Sequence, residues 1–133
     1  MADRIDRTIV SPAGHHATTG YSHAIKLGNM LFVSGQTGMD SDRKLVGPGM
    51  YEQTQRALDN VRAVLEGGGA AWSHVGKLNV YLTDIGQVQT MRDARRDYFE
   101  AHGVKPPAIT TVGVTGLAAE GALIEIEAVA VLS

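Results

Sequence analysis

The sequence predicts an α+β sandwich in which two helices pack on one face of a mostly antiparallel sheet. Three observations carry that expectation. Two segments keep apolar residues at helical spacing, the segments around them alternate apolar and polar residues as strands do, and the order along the chain is β, β, β, helix, strand, helix, β, β. With 133 residues, 44% hydrophobic and 20% charged, the chain has apolar matter for one compact domain and little room for a second. No stretch reads as a linker and no period of about 20 to 50 residues repeats, so residues 1–133 form one unit.

The run Arg7–Val10 predicts an edge strand. Tyr21, His23, Ile25 and Leu27 then alternate with Ser22, Ala24 and Lys26, and Gly28-Asn29 separates them from the apolar run Met30–Ser34. Glycine followed by one other residue signals a two-residue hairpin of type II′. Thr54, Ala57, Leu58, Val61, Val64 and Leu65 share one side of a helix over residues about 50 to 66, with Glu52, Arg56, Asp59, Arg62 and Glu66 on the other. Glu52 and Arg56 stand in the acid-first i,i+4 order, worth roughly a few tenths of a kcal/mol. Gly67-Gly68-Gly69 ends the helix.

Lys77–Thr83 alternates as a further strand. A second helix runs from about Gln87 to His102, with Val88, Met91, Ala94, Tyr98 and Phe99 for the core and Gly103 as its stop. Its arginines Arg92, Arg95 and Arg96 are interleaved with Asp93, Asp97 and Glu100; Arg92 and Arg95, three apart, share an edge where Arg95 borders the apolar stripe. Ala108–Val114 and Ala122–Leu132 predict a second hairpin around Leu117–Gly121. In the last strand Ile124, Ile126, Ala128, Ala130 and Leu132 take one face, and Leu123, Val129 and Val131 the other, so both faces are largely apolar. Two helices cover only one of them. An uncovered apolar face marks an interface, and an oligomer is expected from the pattern alone.

Composition removes several classes of function. Twelve basic against fourteen acidic residues, net charge -2, create no strong global attraction to nucleic acid or an anionic membrane. No apolar run approaches the ~20 residues that span a bilayer, and Met1-Ala2-Asp3-Arg4 leads into no apolar export segment, so a soluble cytoplasmic protein is expected. Zero cysteines remove disulfides, thiolate metal sites and cysteine nucleophiles. The five histidines, His15, His16, His23, His74 and His102, show no metal-ligand spacing, and no metal is expected.

Two features suit chemistry. Glu125 and Glu127 point the same way from the last strand between Leu123 and Val129; a carboxylate there is either desolvated, with its pKa raised toward the range of a general base, or paired in a structural contact. Ser34-Gly35-Gln36-Thr37-Gly38 follows an apolar strand with two glycines that permit close approach of a ligand. It lacks the lysine of a phosphate loop and the spacing of a dinucleotide fingerprint, and an ordinary strand-to-loop turn would look the same.

Together with Tyr21-Ser22-His23-Ala24-Ile25, Leu27–Gln36, Gln53-Thr54, Leu58-Asp59-Asn60-Val61 and Pro107-Ala108, the closing run Ile124–Ala130 resembles the Rid/YjgF family of imine and enamine deaminases, over residues 7 to 131. The resemblance implies a chorismate mutase-like fold, a homotrimer with the sheets turned inward, and ligand clefts between subunits that take a small molecule. It implies cofactor-free hydrolysis of reactive imines or enamines to a carbonyl product and ammonia. Carried over, Glu125 is the glutamate that orients the attacking water, with a backbone carbonyl near Thr111. Tyr21, Ser34 and Gly35 match the cleft walls, although the Gly-Pro before the tyrosine in many members is Thr19-Gly20 here. The family's helix asparagine falls at Arg92, and its cleft cysteine, where present, at Thr111.

One departure bears on the substrate. Deaminating members read Pro-Ala-Arg, the arginine clamping the substrate carboxylate, whereas this chain reads Pro107-Ala108-Ile109. An aliphatic side chain cannot replace a guanidinium fork. The expected activity is therefore hydrolysis of C=N or enamine bonds with poor handling of ordinary 2-imino acids, unless Arg92 meets the carboxylate. The alternative is a non-catalytic trimer binding a metabolite or a protein in the same clefts. The ribonuclease activity sometimes attached to the family is disfavoured by the net charge and the absence of an aromatic stacking surface.

Overall fold

The computed structural model describes residues 5–133; the Met1–Arg4 start lies outside the described residues. Six strands form one sheet: β1 (Arg7–Val10), β2 (Ala24–Leu27), β3 (Met30–Gln36), β4 (Val75–Leu82), β5 (Ala108–Gly113) and β6 (Ile124–Val131), with α1 (Met50–Gly67) after β3 and α2 (Val88–Ala101) after β4. The order across the sheet is β1-β2-β3-β6-β4-β5, with every pair antiparallel except β4 with β5. Among the described residues no helix is long and apolar enough to cross a membrane.

The helices form where the apolar period is 3.6. All six apolar-side positions expected of α1 are buried, together with Met50, Gln53 and Asn60. Gly69, at φ 80, ends the helix, with Ala70 N donating to Leu65 O at 2.8 Å. Glu52 and Arg56 do not pair as expected. The Glu52 carboxylate turns back to accept from Gly49 N at 2.8 Å, satisfying a free helix-start amide, and Arg56 donates to Met39 O and Asn60 Oδ1. On α2, Met91, Ala94, Tyr98 and Phe99 are buried and Gly103, at φ 64, lets Val104 N reach Phe99 O.

Gly28 has φ 56 at the β2–β3 turn while Asn29 keeps negative φ, the type II′ arrangement. Two strand expectations are corrected. Tyr21–His23 precede β2 as irregular chain instead of belonging to it. Ala108–Gly113 does not form a hairpin with the last strand: β5 runs parallel to β4 at the sheet edge, and β6 lies between β3 and β4. The reason is the helix between them, since a strand-helix-strand crossover returns the chain in the direction it started.

Leu31, Leu78, Val80, Leu82, Ile124 and Ile126 fill the sheet side of the core against both helices. On the opposite face Ile9, Leu27, Met30, Phe32 and Val131 are exposed, Phe32 at 40% and Val131 at 47%. Both faces of the sheet are thus apolar, and only one is covered within the chain.

Candidate functional site

Between Val33 and Gln36 the register of β3 against β6 slips: Val33 faces Ala128 and Gln36 faces Ile126, so three steps on β3 match two on β6. A bulge of this kind re-aims side chains, and Ser34 and Gly35 are the residues it displaces. A Cβ on Gly35 would lie 2.6 Å from Glu125 Cδ, so the Glu125 side chain rests directly on the glycine. Any larger residue would evict it. Ser34 Oγ donates to Ser22 O at 2.6 Å and so ties the bulge to the irregular segment before β2.

Tyr21, Ser34, Gly35 and Glu125 line one cavity of about 450 Å³. His16 and Arg43 also line it, and neither was expected from the sequence. They come from loops, where no periodicity points to a shared location. Arg43 is the only non-glycine described residue at positive φ (62), and its guanidinium donates to Ala17 O, joining the two loops that wall the cavity. His23 anchors the same wall from inside: its Nδ1 accepts from Gln36 Nε2 at 3.3 Å and its Nε2 donates to His16 O at 2.8 Å. Burial, then the neighbouring His23, hold the His15 and His16 rings below the ordinary imidazole range.

The two strand glutamates differ in their partners. Glu127 accepts from Tyr81 Oη at 2.5 Å and from Asn79 Nδ2 at 3.2 Å. Glu125 finds no hydrogen-bond donor among the described residues, and burial, followed by repulsion from Glu127, pushes its carboxyl above the usual range. Glu127 is structural by this geometry. Glu125 is a half-buried carboxylate open to a cavity, with its proton affinity raised, which is what a general base requires.

Arg92 and Ile109 stand elsewhere in the chain, on a cavity of about 330 Å³ between α2 and the start of β5, with Arg95, Arg96 and Phe99. Thr111, half-buried and paired with Val80, lines neither cavity. A single chain therefore brings together Tyr21, Ser34, Gly35 and Glu125 but leaves Arg92, Ile109 and Thr111 apart from them. Among the described residues no group of three or more His, Asp or Glu side chains is placed to hold a metal ion.

An α+β chain with this bulged SGQ strand and its glutamate has relatives. The family model described as endoribonuclease L-PSP matches residues 11–132, and the chain belongs to that family, the Rid/YjgF family. It is 40% identical over 111 residues to a RutC family protein of Pyrococcus abyssi, covering 83% of this chain and 84% of that one. It is 34% identical over 132 residues to the human 2-iminobutanoate/2-iminopropanoate deaminase, covering 98% and 93%. Among solved structures, Escherichia coli TdcF with bound serine superposes with a TM-score of 0.87 at 26% identity, over 95% of this chain and 99% of that one. The fold the resemblance implied is the fold found.

Proposed function

We propose that the protein is a cofactor-independent hydrolase of imines or enamines, acting as a cytoplasmic homotrimer. Water adds to the imine carbon as Glu125 accepts one of its protons and passes it to nitrogen, giving the carbinolamine; the carbinolamine hydroxyl then gives its proton, again by way of Glu125, to nitrogen as the C–N bond breaks, and ammonia leaves a carbonyl product. An imine carbon is already electrophilic, so positioned water and a base are sufficient. The observation that carries the reading is Glu125 itself, half-buried, without a donor among the described residues and resting on Gly35 in a cavity walled by Tyr21 and Ser34. The deaminase named among the relatives supports the reaction class.

The homotrimer supplies what one chain lacks. In this reading the neighbouring subunit brings Arg92, Ile109 and Thr111 against the Glu125 cavity, and the open sheet faces turn toward one another. Ile109 removes the guanidinium position that would clamp a 2-carboxylate, so 2-iminopropanoate and 2-iminobutanoate are poor substrates. Ammonia release from imines generated in situ, some with a 2-carboxylate and some without, tests the proposal. Turnover of at least one imine is expected, with the two 2-imino acids slow and improved by Ile109→Arg. No ammonia from any imine, with the same compounds still bound, would replace the hydrolase by a metabolite-binding trimer.

A further inference from the structure

The cavity that holds Glu125 has a cation in its wall. Arg43 lines it, and among the described residues no carboxylate lies within salt-bridge distance of that guanidinium. Asp40, in the same turn, is occupied by the backbone amides of Asp42 and Lys44 at 2.9 and 3.0 Å. Arg43 is exposed, so a ligand in the cavity can reach it. One Nη2 N–H is spent on Ala17 O, which fixes the side chain across the loops, and the other donors of the fork have no acceptor among the described residues. The backbone adds to this. Arg43 sits at φ 62 in the turn that joins the paired residues Met39 and Leu45, a conformation that glycine adopts without strain and a side chain does not. The turn alone would favour glycine; what arginine adds is the guanidinium in the cavity wall.

The cation and the base occupy separate places. Glu127 is the one charged group that bears on Glu125, whereas Arg43 bears on His16. Burial, then His23, then Arg43 hold the His16 ring below the ordinary imidazole range, so at neutral pH Arg43 is the sole cation of the cavity. Met39, Ala118 and Ala119 add apolar surface to the lining. The volume of about 450 Å³ falls within the range of roughly 300 to 1,000 Å³ that encloses ligands larger than a four-carbon acid. We propose that Arg43 sets the specificity of the Glu125 site by holding a carboxylate remote from the reacting carbon, so that the preferred substrate is an imine or enamine with a terminal carboxylate several bonds from its C=N carbon. This deepens the hydrolase reading and rests on it for the identity of the reacting end. A 2-imino acid with its carbon at Glu125 carries its carboxylate too near that carbon to use Arg43.

Binding of stable oxo acids, whose carbonyl stands in for the imine, tests this without turnover. NMR titration of the intact protein would compare 2-oxobutanoate, 5-oxohexanoate and 6-oxoheptanoate, with 2-heptanone as the neutral counterpart of the last. One of the two longer acids should bind more tightly than both 2-oxobutanoate and 2-heptanone. Arg43→Gln should weaken it about five- to tenfold, as the loss of a charge-assisted hydrogen bond at an exposed position implies. Arg43→Lys should restore part of the loss, and 2-heptanone should be unaffected throughout. Should Arg43→Gln fold poorly, Arg43→Gly, which suits the left-handed backbone, carries the same comparison. No binding of either longer acid, tighter binding of 2-oxobutanoate or 2-heptanone, or binding of the longer acids indifferent to the loss of Arg43 overturns the inference. Arg43-dependent binding with no ammonia release from any imine would sink the hydrolase and leave the carboxylate site standing. Imine turnover together with oxo-acid binding that ignores Arg43→Gln would sink the site and leave the hydrolase.

Discussion

At the scale of single residues, the site depends on a side chain resting where only glycine leaves room. In Gly35→Ala the new methyl meets the flexible end of Glu125 and not the backbone, so the fold should accommodate it with a small change in thermal midpoint. The carboxylate must move, however, and a misplacement of about 1 Å can cost on the order of 10²-fold in rate. A variant that keeps full activity would show that Glu125 does not act from this position. The raised proton affinity of Glu125 has its own consequence. Between the ordinary and the raised value the folded chain holds more protons at this group than the unfolded one, so the contribution of Glu125 to stability is greatest below the ordinary Glu range and is lost as pH rises through the raised value. Glu125→Gln buries no charge. It should therefore raise the midpoint of thermal unfolding near pH 7 and leave it unchanged near about pH 3; a lowered midpoint at pH 7 would contradict the desolvation.

At the scale of elements, Gln53 joins α1 to the approach to β6. It is fully buried; its amide donates to Gly47 O and Gly121 O, and its Oε1 accepts from Leu123 N at 2.8 Å. Gln53→Leu strands a backbone amide and two carbonyls and should cost at least about 2 kcal/mol, measured by urea unfolding. Gly38→Ala should also destabilise, since its Cβ would lie 2.7 Å from Gln53 Cα and backbone cannot yield cheaply. The helices were legible because an amphipathic period of 3.6 has one reading. The pairing of β5 was not, because alternation along a strand is the same whether its neighbour runs parallel or antiparallel, and only the α2 crossover decides. The pairing of Glu52 escaped for a related reason: the helix start offered a nearer donor than Arg56. Ser34, Gly35 and Glu125 were legible as motifs, whereas Arg43 and His16 reach the same cavity from loops that carry no repeating signal.

At the scale of the molecule, the sheet face opposite the helices exposes Ile9, Leu27, Met30, Phe32 and Val131. An apolar stripe of this kind calls for a partner. Sedimentation equilibrium should give three times the mass of the 133-residue chain, and Phe32→Glu, placing a charge in the stripe, should shift the protein toward monomers and abolish turnover by separating the two cavities. A monomeric parent would remove every site built between subunits. Alternation on both faces of β6 made this face legible in the sequence, because the period of a strand assigns each residue to one side. The measurement that tests the account most directly is the rate of ammonia release by the parent and by Glu125→Gln at matched concentration, on whichever imine the parent turns over. Loss of the base should lower that rate by about 10² to 10⁴ fold with the assembly intact, while Glu127→Gln, which disturbs only the bonds to Tyr81 and Asn79, should lower it far less. Equal losses in the two variants, or none in Glu125→Gln, would contradict it.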